Sequence, residues 1–117
     1  MKYRRLGRTR FEVSDIAYGL WGMSGWSGSD DAESLASLQL SVDFGCNFFD
    51  TAWAYGDGKS DGLLGELMQK NSGKRIYAAS KIPPGNLKCT RACAHDIGGS
   101  RVYYRVVQDI DGTISML

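Results

Sequence analysis

Three short apolar runs recur along this chain at nearly the same interval, and that interval constrains the fold more than any other feature. They are Ile16-Ala17-Tyr18-Gly19-Leu20, Cys46-Asn47-Phe48-Phe49-Asp50-Thr51 and Ile76-Tyr77-Ala78-Ala79-Ser80-Lys81-Ile82, centred near residues 18, 48 and 78. Runs of this length and composition read as buried strands. Between the first and second, Asp30 and Glu33 resemble a capping box, and Leu35, Leu38 and Val42 then fall on one helical face before Gly45 supplies a stop. Between the second and third, Ser60 is expected to cap a helix with the stripe Leu63, Leu64, Leu67 and Met68, ended by Asn71 and Gly73. Pro83 and Pro84 halt the third strand. Parallel strands need a crossover of about a dozen residues or more, usually helical and right-handed, so this spacing predicts βα units in a parallel sheet. Eight such units fill the ~250 residues of a (β/α)8 barrel. The 117 residues here hold about three of them.

Ahead of the first unit, Tyr3 to Ser14 alternates polar and apolar residues around the turn Leu6-Gly7-Arg8-Thr9-Arg10, which predicts a small hairpin with Phe11 and Val13 on one face. The fold class expected is therefore α/β, the N-terminal portion of a (β/α)8 TIM barrel preceded by a hairpin. Composition narrows the function classes. Lys and Arg number 14 against 13 Asp and Glu, a net charge of +1, which gives no electrostatic footprint for nucleic acid or an anionic membrane. No apolar run approaches the ~20 residues that cross a bilayer, and MKYRRLGRTR lacks the apolar stretch of a secretory signal. Three cysteines, Cys46, Cys89 and Cys93, are too few and too odd in number for a disulfide framework, so a reducing, cytoplasmic setting is expected.

In a parallel barrel the functional groups come from the C-terminal ends of strands and the loops that follow. Asp50 closes the second strand, Tyr55 lies in the loop after it, and Lys81 stands near the end of the third. The three make chemical sense together. A tyrosine hydroxyl gives up its proton reluctantly near neutral pH, and an ammonium close by favours the phenolate. Lys81 can supply that ammonium, and Asp50 can hold it in place and keep it charged.

These residues sit in the stretch GCNFFDTAWAYGDGKSDGLLGEL followed by RIYAASKI, which resembles the aldo-keto reductase family; LGRTRFEVSDIAYGLWGMSG is similar to that family's N-terminal hairpin and first strand. The resemblance covers Tyr3 to about Lys88, so the division expected is a partial barrel over residues 1–88 and an unmatched tail over 89–117. It implies an oxidoreductase that uses NADPH, with NADH as the alternative, to reduce an aldehyde or ketone. Tyr55 would be the proton donor, with Asp50 and Lys81 as its catalytic partners. It also implies cofactor contacts at Leu20, Trp21, Gly22 and Asp50. Trp21, Trp26 and Trp53 either border a substrate pocket or cover loops.

The sequence departs from the family in four ways. Arg10 stands where the hairpin turn usually has glycine, which predicts strain at a left-handed residue. Asp61 replaces the usual glutamate after Ser60, a mild change because either carboxylate suits a helix start. The family's tetrad histidine lies tens of residues beyond the lysine, whereas the one histidine here, His95, follows Lys81 by 14 residues and is not assigned. The later strands that carry most phosphate and adenine contacts lie outside these residues, so weak cofactor affinity and little activity of these residues alone are expected. Two open sheet edges are expected as well.

The tail, from Cys89, keeps neither the period nor the strand spacing and offers one strand, Arg101 to Val107. A frame change or a misjoined gene end would produce such a break. Cys89, Cys93 and His95 form C-x3-C-x-H, which lacks a fourth ligand for zinc. Asp109-Ile110-Asp111-Gly112-Thr113 resembles the DxDGT element of haloacid dehalogenase-like phosphatases, whose first aspartate is a nucleophile. The other alternative is a subunit that binds cofactor without turnover, as in channel-associated β subunits of the reductase family.

Overall fold

The chain opens with the expected hairpin: β1 (Tyr3–Arg5) pairs antiparallel with β2 (Glu12–Ser14), Tyr3 lying opposite Ser14. Its turn is closed by Thr9, whose hydroxyl donates to the Leu6 carbonyl at 2.6 Å and accepts from the Phe11 N–H at 3.2 Å. The left-handed residue of the turn is Gly7, at φ 52°. The strain expected at Arg10 is therefore absent, because the backbone takes its left-handed step at a residue with no Cβ; among the described residues Asp57 is the one non-glycine at positive φ. The computed structural model describes residues 1–26 and 28–81, and the backbone of two further strands at 105–108 and 114–116.

Three strands follow in parallel: β3 (Tyr18–Gly19), β4 (Phe48–Asp50) and β5 (Tyr77–Lys81), with Tyr18 opposite Phe49 and Phe49 opposite Ala78. The register reproduces the spacing of the sequence runs. α1 (Asp31–Asp43) links β3 to β4, and α2 (Lys59–Lys70) links β4 to β5. Asp30 caps α1 by accepting the Glu33 N–H at 3.0 Å, which satisfies one of the orphan donors of the first turn. At the other end Gly45, at φ 91°, turns the chain toward β4.

Three expectations need correction. Ser60 does not cap α2: the cap is Gly58, at φ 90° and two residues earlier, the helix begins at Lys59, and Ser60 points into the interior with no exposed surface. The first apolar run is not a buried strand throughout, since Ile16 is 66% exposed and only Tyr18 and Gly19 pair; among the described residues β3 has one neighbour, and an edge strand buries less. The edge beyond β5 is not open. β6 (Arg105–Gln108) pairs with it antiparallel, and β7 (Ile114–Met116) pairs antiparallel with β6, giving the order β3-β4-β5-β6-β7. β6 overlaps the end of the strand expected in the tail. Cys89, Cys93, His95, Asp109 and Asp111 lie outside the described residues.

Strand alternation divides the sheet into two faces. Phe49 and Ala78, with Ile76 just ahead of β5, meet the helices in a cluster with Leu20, Leu38, Val42, Leu63, Leu64 and Leu67. Phe48, Tyr77 and Ala79 face the other way, against Phe11 and Val13 of the hairpin, with the Phe11 and Tyr77 ring centres 4.8 Å apart. Parallel strands joined by helices on one face, over a hairpin, form the first part of a (β/α)8 barrel. In such a barrel the helix-free face is the interior.

Candidate active site

Alternation that sends Phe48 and Tyr77 to the helix-free face sends Asp50 and Lys81 there too, two and four residues further on. Both then lie at the C-terminal end of the sheet. Register brings them near each other, because Asp50 sits opposite Ala79 and the Thr51 N–H continues the ladder to the Ala79 carbonyl at 2.8 Å. The Trp53 N–H reaches the Lys81 carbonyl at 3.3 Å, so the loop after β4 stays against the end of β5. Tyr55 comes from that loop.

The Lys81 ammonium has three protons and three acceptors. It donates to Asp50 Oδ1, to the Thr51 carbonyl at 2.9 Å and to the Tyr55 hydroxyl oxygen at 3.2 Å. Its Nζ also lies 5.0 Å from the centre of the Tyr55 ring. Asp50 and Lys81 side chains are 21% and 23% exposed, enough for a ligand to reach them and little enough to shield the pair from full solvation. All three residues singled out in the sequence thus meet at one point.

The loop that carries Tyr55 is tied from below. The Ser60 hydroxyl lies 2.8 Å from the Thr51 hydroxyl and donates toward the Tyr55 carbonyl at 3.2 Å, while the Ser60 N–H approaches the same carbonyl at 3.3 Å. Asp61 accepts from the Ser80 hydroxyl at 3.3 Å, joining α2 to the residue before Lys81. Thr51 and Ser60 were not among the sequence candidates. Thr51 lies inside the FDTA motif, and a small hydroxyl residue two positions after the loop glycine Gly58 is the only other signal the sequence offers.

The four residues expected to contact a cofactor follow β3 or end β4. Leu20 is fully buried, which leaves its backbone as the part that a ligand could meet; its N–H donates to the Asp50 carbonyl at 2.9 Å. Trp21 opens a short 3-10 turn, is 60% exposed and lies 5.5 Å from the Trp26 ring, while a Cβ on Gly22 would meet nothing. Trp53 is also exposed. A cleft of about 870 Å³ between the hairpin and the start of β5, lined by Arg5, Glu12, Val42, Lys74 and Tyr77, opens at the opposite end of the strands and holds none of the three.

Comparison with known proteins identifies the family of the chain. The profile of the aldo/keto reductase family matches residues 15–105, beginning after the hairpin and running past Lys88. An aldo-keto reductase of Bacillus subtilis, YhdN, is 36% identical over 77 residues, covering 64% of this chain and 23% of that protein. A protein of Oryza sativa named as a voltage-gated potassium channel subunit beta is 37% identical over 84 residues, 70% of this chain and 25% of that one. Among solved structures, a Pseudomonas aeruginosa protein described as an aldo-keto reductase superposes with a TM-score of 0.60 at 33% identity, over 69% of this chain and 31% of that chain. The chain spans about a quarter of the length of the curated relatives it matches. With a family profile over most of its length and a superposition on a solved relative at 33% identity, this chain belongs to the aldo/keto reductase family.

Proposed function

We propose that this chain carries the proton-donating half of a carbonyl-reduction site, with Tyr55 as the acid, and that it works with NADPH, or alternatively NADH, on an aldehyde or ketone. The observation that carries the reading is the direction of one hydrogen bond. Because Lys81 donates to the Tyr55 oxygen, the tyrosine's own proton is turned away from the lysine and is free to go to another acceptor. A carbonyl oxygen in that direction accepts it as the carbonyl carbon is reduced to a carbinol. The phenolate left behind faces an ammonium held in place beforehand, so the charge that develops is met without reorganisation. Asp50 and the Thr51 carbonyl occupy the other two ammonium protons and fix the direction of the third.

A reduced nicotinamide, when bound, supplies the hydride. Trp21 and Gly22 would hold it: an exposed aromatic face and a glycine with open space beside it sit in the turn directly after β3, next to the strand end that bears Asp50. Substrate is a small molecule in this reading, and the protein is placed in the cytoplasm. Among the described residues no helix is long and apolar enough to cross a membrane. The test is isotopic. The chain is incubated with an aromatic aldehyde and NADPH deuterated at the transferring position, and the alcohol is analysed by mass. One deuterium per alcohol with the native sequence, and none with Tyr55→Phe, is the expected outcome; no deuterated alcohol, or equal amounts from both, would overturn it. Bound NADPH without transfer would favour a cofactor-holding subunit instead, a reading supported by the rice relative's name.

A further inference from the structure

Resting on the reading of Tyr55 as the acid, we infer that Ser60 is a positioning residue: its buried hydroxyl sets where Tyr55 stands relative to Lys81. Ser60 lies in the first turn of α2 with no exposed surface. Alanine would suit that position better if only helix and packing mattered, since it is the stronger helix former and brings no polar atom to bury. The hydroxyl is retained in a place where it must be bonded, and its partners are all in the loop from Thr51 to Tyr55.

Those partners connect Ser60 to both members of the Tyr55 and Lys81 contact. On one side the Tyr55 carbonyl receives the Ser60 hydroxyl and the Ser60 N–H, which hold the backbone of the residue that bears the phenol. On the other side the Thr51 hydroxyl meets Ser60, while the Thr51 carbonyl receives Lys81. Thr51 is itself buried and tied to β5 through its N–H. A single hydroxyl therefore joins Thr51 to Tyr55 across a stretch whose middle residues, Trp53 and Ala54, are exposed. Without it the phenol keeps its sequence position but loses the link that registers it against the ammonium. Proton transfer is sensitive to such displacement: a shift of about 1 Å at a reacting group can cost ~10²-fold in rate.

The experiment uses the full chain with carbon-13 at the ζ position of tyrosine. The Tyr55 signal, one of six, is assigned by its loss in Tyr55→Phe. Lys81→Met is expected to shift that signal, because the ammonium contact is removed. In Ser60→Ala the same Lys81→Met change is expected to shift it by less than about half as much. Thr51→Val, an isosteric change, reads the other arm of the link and replaces Ser60→Ala should that variant fail to fold. An undiminished response to Lys81→Met in either folded variant, or no response in the native background, overturns the inference. Rates separate it from the reading beneath it. Native transfer of deuterium with Ser60→Ala slower by about tenfold, and carbonyl KM within about twofold, agrees with both. A diminished Lys81→Met response without any native transfer removes the acid role and keeps the positioning.

Discussion

The two faces of the parallel sheet are built from the same strands and do different work. On the helix face, Leu20, Leu38, Phe49, Leu64, Leu67 and Ile76 are each at most 2% exposed and touch one another. On the other face the buried apolar cluster is smaller, Phe11, Val13, Tyr77 and Ala79, and toward the strand ends it gives way to Asp50 and Lys81. A single strand contributes to both, Phe49 to one side and Asp50 to the other. The difference teaches that period-2 alternation lets a three-residue strand place one side chain in the core and the next in the candidate site. It also means the two can be separated by substitution.

The largest effect expected is on the helix face. Phe49→Ala removes a ring with no exposed surface and should cost about 3–5 kcal/mol, read as a lowered urea midpoint. Against the ~5–15 kcal/mol margin of typical domains that is a major loss. On the opposite face, Lys81→Met should slow deuterium transfer by about 10²-fold. Next in size is the start of α1, where Asp30→Ala removes the side-chain acceptor of the Glu33 N–H and should cost about 1 kcal/mol of stability, with the transfer rate unchanged. The smallest effect belongs to an exposed pair. Lys74, with help from Gln39, holds the Asp43 carboxyl below its ordinary range. A lowered carboxyl favours the fold above its unfolded titration range, and that contribution fades as pH falls through the folded value. Lys74→Ala should therefore leave the neutral-pH midpoint within error and remove only a slight acid-side dependence.

What was legible in the sequence follows the same division. The helix face was read almost in full, because Leu38, Val42, Leu63, Leu64 and Leu67 repeat with helical spacing and the three strands repeat with crossover spacing. The meeting of Asp50, Tyr55 and Lys81 at one end of the sheet was legible as well, since strand ends and the loops after them can be located once the strands are. Ser60 was misread because a serine at a helix start satisfies the capping rule whether or not it turns inward; the left-handed Gly58, which lets the helix begin at Lys59, decided otherwise. Ile16 was misread because an apolar run does not say how many neighbours its strand will have. Arg10 was misread because the turn has two candidates for its left-handed residue, and Gly7 takes the position at no steric cost. The pairing of β6 against β5 was illegible for a more general reason: strand direction is set by the connection and the partner, neither of which is written in the four residues of β6.

The claim at the centre of this account is that Asp50 and Lys81 are kept for chemistry and not for holding the sheet. A half-buried ion pair replaced by apolar side chains of similar size is often neutral for stability or better. The most direct test is the unfolding free energy of the full chain carrying Asp50→Leu and Lys81→Met together. Stability equal to or above that of the native sequence is the result predicted, whereas a fall of about 3 kcal/mol or more, the size expected for a structural pair that has been broken, would contradict it.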